Sequence, residues 1–453
     1  MVKLAPFEVE QWMDKYETTP GVLNIAETCA ASLSIADLAG IADPIVSHDG
    51  LSILPAADPL SALATTKLTY GAIRGSLTLR QQVIDLLSYD SGDSVKSRNN
   101  AISLGPEFVI ISQGAIAANY LLFYTLLGPG DHVVCTYPTY QQLYDVPRSL
   151  GAEVSLWKLR ADNGHVPDVA ELEALMLILN NPNNPLGVPI PRAVLQSIVD
   201  FARARDLIVF CDEVYLPLYH GGPVDLEQDT RRDSERRSEL DATRPPSIIN
   251  FGYDRTISTG SMSKAFALAG LRVGWAVSRD PEIIRAMLAT RDYTTISVSQ
   301  LDDGIARYAL SDAVRRPLLQ HNTALARKNV QVLKWFVERW SSRGRVRLSW
   351  VKPTAGTTAF VKICTVPKSE EAGDNGDAED DGGAGSNKEE PVDDVAFCLD
   401  VLDKCKVMMV PGSKCFGHGE DFKGYVRIGY VNETPVLMEA LAKLDWYLEE
   451  FLA

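Results

Sequence analysis

No stretch of the 453-residue chain is apolar for the roughly 20 residues that a bilayer crossing needs. The opening, MVKLAPFEVEQWMDKYE, sets charges among its apolar residues and so lacks the apolar core of a signal peptide. A cytoplasmic protein with no membrane partner is the expectation. Cysteine is scarce and scattered: Cys29, Cys135, Cys211, Cys364, Cys398, Cys405 and Cys415 make an odd number, with no Cys-x-x-Cys pair. That pattern argues against both a disulfide framework and a zinc site. The six histidines show no metal-ligand spacing, so no metal is expected. Basic charge is also short, with 44 Lys and Arg against 59 Asp and Glu. The resulting acidic field disfavours nucleic acid as a partner. No internal repeat is visible.

The net charge of −15 is largely local. Residues 368–394 carry eleven carboxylates against two lysines, a balance of −9 that leaves about −6 for the rest. Such an acidic, Gly- and Ser-rich run cannot offset the entropy of ordering and is expected to be a disordered insert. A second insert, 223–246, mixes both signs of charge and reads as a surface loop or helix.

What remains is long enough, at 46% hydrophobic residues, for two domains around a substantial core. Short β-branched runs (108–112, 132–136, 153–159, 175–180, 207–215, 256–259 and 272–278) alternate with amphipathic stretches such as 115–127 and 192–205. That alternation predicts an α/β fold, with a mostly parallel mixed sheet covered by helices. After about residue 310 long helical periodicity and short strands predict a smaller α+β domain. The expected layout is an N-terminal segment, 1–50, joining the small domain, a large domain over 51–310, and the small domain over 311–453.

Four segments carry candidate chemistry. Ser261-Met-Ser263-Lys264 follows a buried strand, where a lysine can reach a cleft and condense with an aldehyde, and Arg272 lies eight residues on. Asn180-Asn-Pro-Asn-Asn184-Pro-Leu-Gly187 reads, by itself, as a plain strand-to-helix turn, and its functional reading needs the other motifs. Phe210-Cys-Asp212-Glu-Val-Tyr215 ends another apolar run with a carboxylate that burial would make costly without a cation. Near the C-terminus, Arg427 sits in the apolar run Tyr425-Val-Arg427-Ile-Gly429, where its planar fork suits a carboxylate.

Taken in order from about Tyr70 to Arg427, these motifs resemble the class I/II aminotransferase family of fold-type I pyridoxal 5′-phosphate (PLP) enzymes. The resemblance implies that Lys264 forms the Schiff base, that Asp212 pairs with the pyridinium nitrogen, and that Tyr215 and Asn184 bond the phenolic oxygen. It places the cofactor phosphate on Gly114, Ala115 and Ile116 at the start of a helix, with Ser261, Ser263 and Arg272 completing the cup. Tyr140 would stack on the ring. Tyr70 would reach the phosphate of a neighbouring subunit, so a homodimer with shared active sites is implied. Arg427 would hold the substrate α-carboxylate, beside Asn184. Glu27, in an N-terminal region that often lines the pocket, is a candidate for a polar or cationic substrate side chain. Arg291-Asp-Tyr293-Thr-Thr-Ile296 resembles a segment brought near the pocket from the partner.

The implied activity is an aminotransferase that deprotonates the α-carbon of an amino acid through a Lys264 Schiff base and a quinonoid carbanion. A lyase or cyclase would use the same residues, and two details keep it open. Leu186 stands where the common family pattern has threonine, and Pro411-Gly-Ser-Lys-Cys-Phe-Gly417 resembles capreomycidine-synthase-like members. An inactive regulatory domain would lack the lysine, aspartate or arginines that are all present here.

Overall fold

The structure is a computed structural model, and it describes residues 4–41, 63–89, 104–168, 176–221, 244–342, 344–366 and 389–452. The two inserts lie outside the described residues, apart from 244–246 and 389–394. The end of the acidic stretch is ordered. The Asp393 carboxylate accepts the amides of Val395 and Ala396 at 3.1 and 3.0 Å, capping the helix Asp394–Cys405. An aspartate in that position satisfies first-turn amides that would otherwise lack partners.

The chain forms two compact units: residues 1–7, 28–327 and 353–358 in the first, and residues 8–27, 328–352 and 359–453 in the second. The boundary at 327 falls inside the helix Asp312–Trp340. Strand β1 (Leu23–Asn24) belongs to the second unit. The first unit holds β2 (Val109–Ser112), β3 (His132–Tyr137), β4 (Glu153–Lys158), β5 (Met176–Asn180), β6 (Ile208–Asp212), β7 (Thr256–Ser261) and β8 (Gly274–Ser278).

These seven strands form one sheet in the order β2-β8-β7-β6-β5-β3-β4. β8 runs antiparallel to both its neighbours, and the remaining pairings are parallel. The central strands are buried along their whole length, as for a sheet covered on both faces. Val199 and Ile198 of the helix Arg192–Ala204 join Leu177, Val209 and Val277 in one core cluster. The register Asn180↔Asp212↔Thr259 aligns the carboxyl ends of β5, β6 and β7. In open α/β sheets that edge is where ligands bind.

In the second unit, β9 (Val346–Trp350) pairs with β10 (Thr358–Thr365) in a sheet of order β11-β10-β14-β13. The remaining strands there are β11 (Glu390–Pro391), β13 (Val410–Pro411) and β14 (Tyr425–Gly429). The separate β12 (Val407–Met408) runs parallel to β1. The indole Nε1 of Trp12 donates to the Met409 carbonyl at 2.9 Å, tying the segment 8–27 to the C-terminal part of the unit. Among the described residues no helix is long and apolar enough to cross a membrane, and no cluster of acidic, His or Cys side chains could hold a metal ion.

Candidate active site

Strand β6 stops at Asp212, three residues before the end that its hydrophobic run predicts. The cause is local. The Asp212 carboxylate accepts the Val214 amide at 3.1 Å, so the chain turns on its own side chain instead of continuing a ladder. Glu213 then swings the other way. Its carboxylate accepts the hydroxyls of Ser247 and Ser258 at 2.5 and 2.6 Å and the Ile248 amide at 2.7 Å.

Asp212 is buried, and its second oxygen accepts from Asn119 Nδ2 at 3.0 Å. Asn119 is held in turn by Thr259, whose hydroxyl donates to Asn119 Oδ1 at 2.7 Å, and by Gln142 at 3.2 Å. Burial pushes the Asp212 carboxyl up to about 6, while the Asn119 and Val214 bonds and the charge of Lys264 pull it down. A carboxylate in this state favours a cation close by, and a ring pyridinium is a cation of the right size and charge.

The loop after β5 is built from its own asparagines. Asn180 Oδ1 accepts the Asn184 amide at 2.7 Å, Asn181 Oδ1 accepts the Ile190 amide at 2.7 Å, and Asn183 Nδ2 donates to the Pro138 carbonyl at 3.1 Å. Gly187 closes the turn at φ +68°, where a Cβ would lie 2.2 Å from the Thr358 carbonyl. The network puts Asn184, itself buried, at the carboxyl edge of the sheet.

A candidate phosphate cradle lies where the helix Gly114–Leu126 begins. Gly114 adopts φ +78°, and the preceding Gln113 provides no side-chain cap, so the amides of Gly114, Ala115 and Ile116 are left for an anion. Arg272 Nη2 lies 3.0 Å from where a Gly114 Cβ would stand. Arg272 is itself left-handed at φ +51°, a cost that a non-glycine residue bears where its side chain must be aimed. Ser261 Oγ lies 2.7 Å from Ser263 Oγ and accepts the Ser263 amide at 2.9 Å. Two hydroxyls, a guanidinium and uncapped amides make the donor set of a phosphate site.

Lys264 follows β7 by three residues, and its Nζ bonds Thr28 Oγ1 and lies 3.5 Å from Cys29 Sγ. The backbone reinforces this placement: the Ala30 amide donates to the Lys264 carbonyl and the Leu33 amide to the Ala267 carbonyl, at 3.3 and 3.1 Å. Tyr215 is buried, with Gly356 against its ring. Tyr140 is half-buried, and its ring centroid lies 4.9 Å from that of Phe7.

The first unit therefore brings together the strand ends that carry Asn184, Asp212, Tyr215 and Lys264, and closes Gly114 on Arg272. Tyr70 is not part of that group. It is 81% exposed, on a segment whose carbonyls at Lys67 and Thr69 accept from Gln300 Nε2. Arg427 and Glu27 belong to the second unit. Arg427 is buried in β14 and its Nη2 donates to the Ala26 carbonyl at 2.8 Å. The Glu27 side chain is exposed, and its backbone passes so close to Gly429 that a Cβ there would overlap the Glu27 carbonyl.

Two partners of the site are absent from the sequence motifs. Asn119 is detectable in retrospect as a polar residue inside the apolar helix GAIAANYLLFYTL. Thr28 gives no such signal, because its contact with Lys264 spans 236 positions. The residues present fit PLP: an aldehyde-reactive amine, a buried carboxylate for a ring cation and a phosphate cradle.

Positions 53–444 match the family described as aminotransferase class I and II. A PLP-dependent aminotransferase from Streptococcus suis 89-1591, solved by crystallography, is 31% identical, with a TM-score of 0.76 and full coverage of both chains. Capreomycidine synthase of Streptomyces vinaceus is 26% identical over 403 residues, covering 85% of this chain and 88% of that protein. An aspartate aminotransferase of Thermotoga maritima is 25% identical over 351 residues, 76% of each chain.

Proposed function

The chain belongs to the aminotransferase class I and II family and is a PLP-dependent enzyme acting on an amino acid, and from that premise we propose how its own residues divide the work. Lys264 holds the cofactor. When bound, PLP supplies the electron sink that makes the substrate Cα–H bond acidic. Lys264 Nζ is the base that takes that proton and delivers it again, supported by its position after β7 and its contact with Thr28.

Asp212 keeps a cation at the ring nitrogen, and the burial of its carboxylate is the observation that supports this reading. Its buried carboxylate, aimed by Asn119 at the carboxyl edge of the sheet, favours a positive partner. Asn184 and Tyr215 bond the phenolic oxygen and Tyr140 covers the ring. Gly114, Ala115, Ile116, Ser261, Ser263 and Arg272 bind the phosphate. Arg427 takes the substrate α-carboxylate, in keeping with a buried guanidinium in an apolar strand. Glu27, next in sequence to the Ala26 that Arg427 holds, meets a polar or cationic substrate side chain. Two copies form a cytoplasmic homodimer in which the exposed Tyr70 of each serves the other's phosphate.

A second reading, elimination or cyclisation in specialised biosynthesis, draws on the likeness to capreomycidine synthase and on Leu186, which is buried beside Asn184. The experiment is to incubate the holoenzyme with single amino acids. Conversion of the cofactor to pyridoxamine phosphate, with one keto acid per site, is the expected outcome. Ammonia release with the aldehyde form retained would replace transamination by the second reading. Borohydride reduction and peptide mapping must place the label on Lys264, and a label elsewhere would remove its assigned role.

A further inference from the structure

Inside the second unit one buried carboxylate ties together two segments that both lead to Arg427. Asp394, the first residue of the helix Asp394–Cys405, is only 1% exposed. Its Oδ2 accepts the Ser413 amide and the Ser413 hydroxyl, each at 2.8 Å, and its Oδ1 accepts the Gly424 amide at 3.1 Å. Three neutral donors thus meet a full negative charge. That is a costly way to join two segments, because a buried carboxylate gives up its hydration, and apolar side chains of similar volume would hold the same chain at less cost. What the carboxylate adds is direction, since its two oxygens fix two backbone amides at once.

Ser413 belongs to the short helix Gly412–Phe416, whose Phe416 ring centroid lies 5.5 Å from the Arg427 guanidinium carbon. Gly424 stands immediately before β14, the strand that carries Arg427. It is left-handed at φ +79°, and its carbonyl accepts the Ile363 amide of β10 at 2.8 Å, so the entry to β14 is held from both sides. The two segments also meet directly. β13 pairs with β14 in the register Val410↔Arg427, and a Cβ at Gly412 would lie 2.7 Å from the Tyr425 carbonyl. Arg427 therefore takes its place from its strand, from the Phe416 ring and from the Ala26 carbonyl, and the first two of these hang on Asp394. A guanidinium that meets a carboxylate through two parallel bonds depends on such placement, and a displacement of about 1 Å can cost on the order of a hundredfold in rate.

We propose that Asp394 is a positioning residue, which holds Ser413 and Gly424 so that Arg427 meets the α-carboxylate of the amino-acid substrate. This rests on the role assigned to Arg427 above. The test uses the holoenzyme with whichever common L-amino acid converts its cofactor fastest, and with the amine that lacks that amino acid's carboxylate. Cofactor absorbance gives the half-saturating concentration of each. Asp394→Asn turns an NH2 group toward Ser413 or Gly424 and should raise the value for the amino acid at least about tenfold. The value for the amine and the affinity for PLP should stay within about twofold, since neither draws on Arg427. Ser413→Ala removes one bond and keeps the amide, so about a threefold rise is expected for the amino acid alone. It is the reporter if thermal unfolding shows that the asparagine variant does not fold. Arg427→Met tests the underlying role and should raise the value for the amino acid by about a hundredfold or more, sparing the amine. If it does so while Asp394→Asn and Ser413→Ala affect amino acid and amine alike, or neither, Asp394 serves stability alone and the proposal is overturned. If Arg427→Met itself fails to separate amino acid from amine, the α-carboxylate role of Arg427 falls, and this proposal with it.

Discussion

Asn119 Nδ2 donates to Asp212 Oδ2 at 3.0 Å across 93 positions of sequence, and the same side chain accepts from Thr259 at 2.7 Å. The amide thus fixes the direction in which the carboxylate presents its charge. Asn119→Ala removes a donor that holds the Asp212 pKa down, so a larger share is protonated at neutral pH. The loss of a bond to a charged group, about 1.5–3 kcal/mol, predicts PLP affinity weaker by about tenfold or more. Titration of the cofactor-free protein with PLP measures it, and wild-type affinity would show that Asn119 does not act through Asp212.

Thr28 bears on Lys264 in a different way. Thr28→Val keeps the shape of the segment and deletes the hydroxyl that meets Nζ. The half-reaction rate should fall by about tenfold, the worth of one charge-assisted bond, with PLP content unchanged. Thr28→Ser should restore most of it. Single-turnover absorbance at matched cofactor loading is the measurement, and an unchanged rate in the valine variant would leave Thr28 with packing alone.

Glu213 gives a dependence of stability on pH. Burial raises its carboxyl from 4.5 to about 7, against the pull of the Ser247, Ser258 and Ile248 bonds. A folded-state value above the unfolded one means that folding favours the protonated form. The stability so contributed is fully present below about pH 4.5 and is lost as pH rises through about 7. Asp212, raised to about 6, acts in the same direction in the cofactor-free protein. Urea midpoints of that form should therefore fall between about pH 5 and about pH 8. Glu213→Gln should flatten the fall, leaving the share of Asp212, and an unaltered slope would assign it elsewhere.

Gly187 and Gly344 separate two costs. Both are left-handed, at φ +68° and +61°, but a Cβ at Gly187 would lie 2.2 Å from the Thr358 carbonyl, while at Gly344 nothing stands within 4 Å. Gly344→Ala should cost about 1–2 kcal/mol, the strain of the backbone conformation. Gly187→Ala should cost more, with unfolding several degrees lower. Equal shifts would mean that the Asn-Pro loop relaxes around the methyl group.

Lys264, Asp212, Asn184 and Arg272 were legible because each stands in a short run whose neighbours announce a strand end or a turn. The sheet was legible because the apolar runs at 132–137 and 176–180 are too short for helices and alternate with longer amphipathic stretches. The end of β6 was not. Cys211, Val214 and Tyr215 continue the apolar pattern, and only the return of the Asp212 side chain onto Val214 stops the strand. Asn119 shows only as a polar residue in an apolar run, while its contact with Asp212, the role of Thr28 and the burial of Arg291 were hidden by a different cause. Each depends on the register of elements far apart in the chain, which local composition does not encode. In the acidic stretch, Asp393 marks the point where low hydrophobicity gives way to a helix cap.

The bonds from Ala30 to Lys264 and from Leu33 to Ala267 have a consequence for how the protein is born. At about 5–20 residues per second, a ribosome needs on the order of tens of seconds to add the residues between Thr28 and Lys264. During that interval the nascent N-terminal segment has no docking place, and Thr28 and Cys29 face the cell without the lysine that they later flank. Cofactor capture is therefore a late event in the life of each chain. Prematurely terminated products shorter than about Lys264 leave the ribosome as apoprotein, with that segment open to chaperones and proteases.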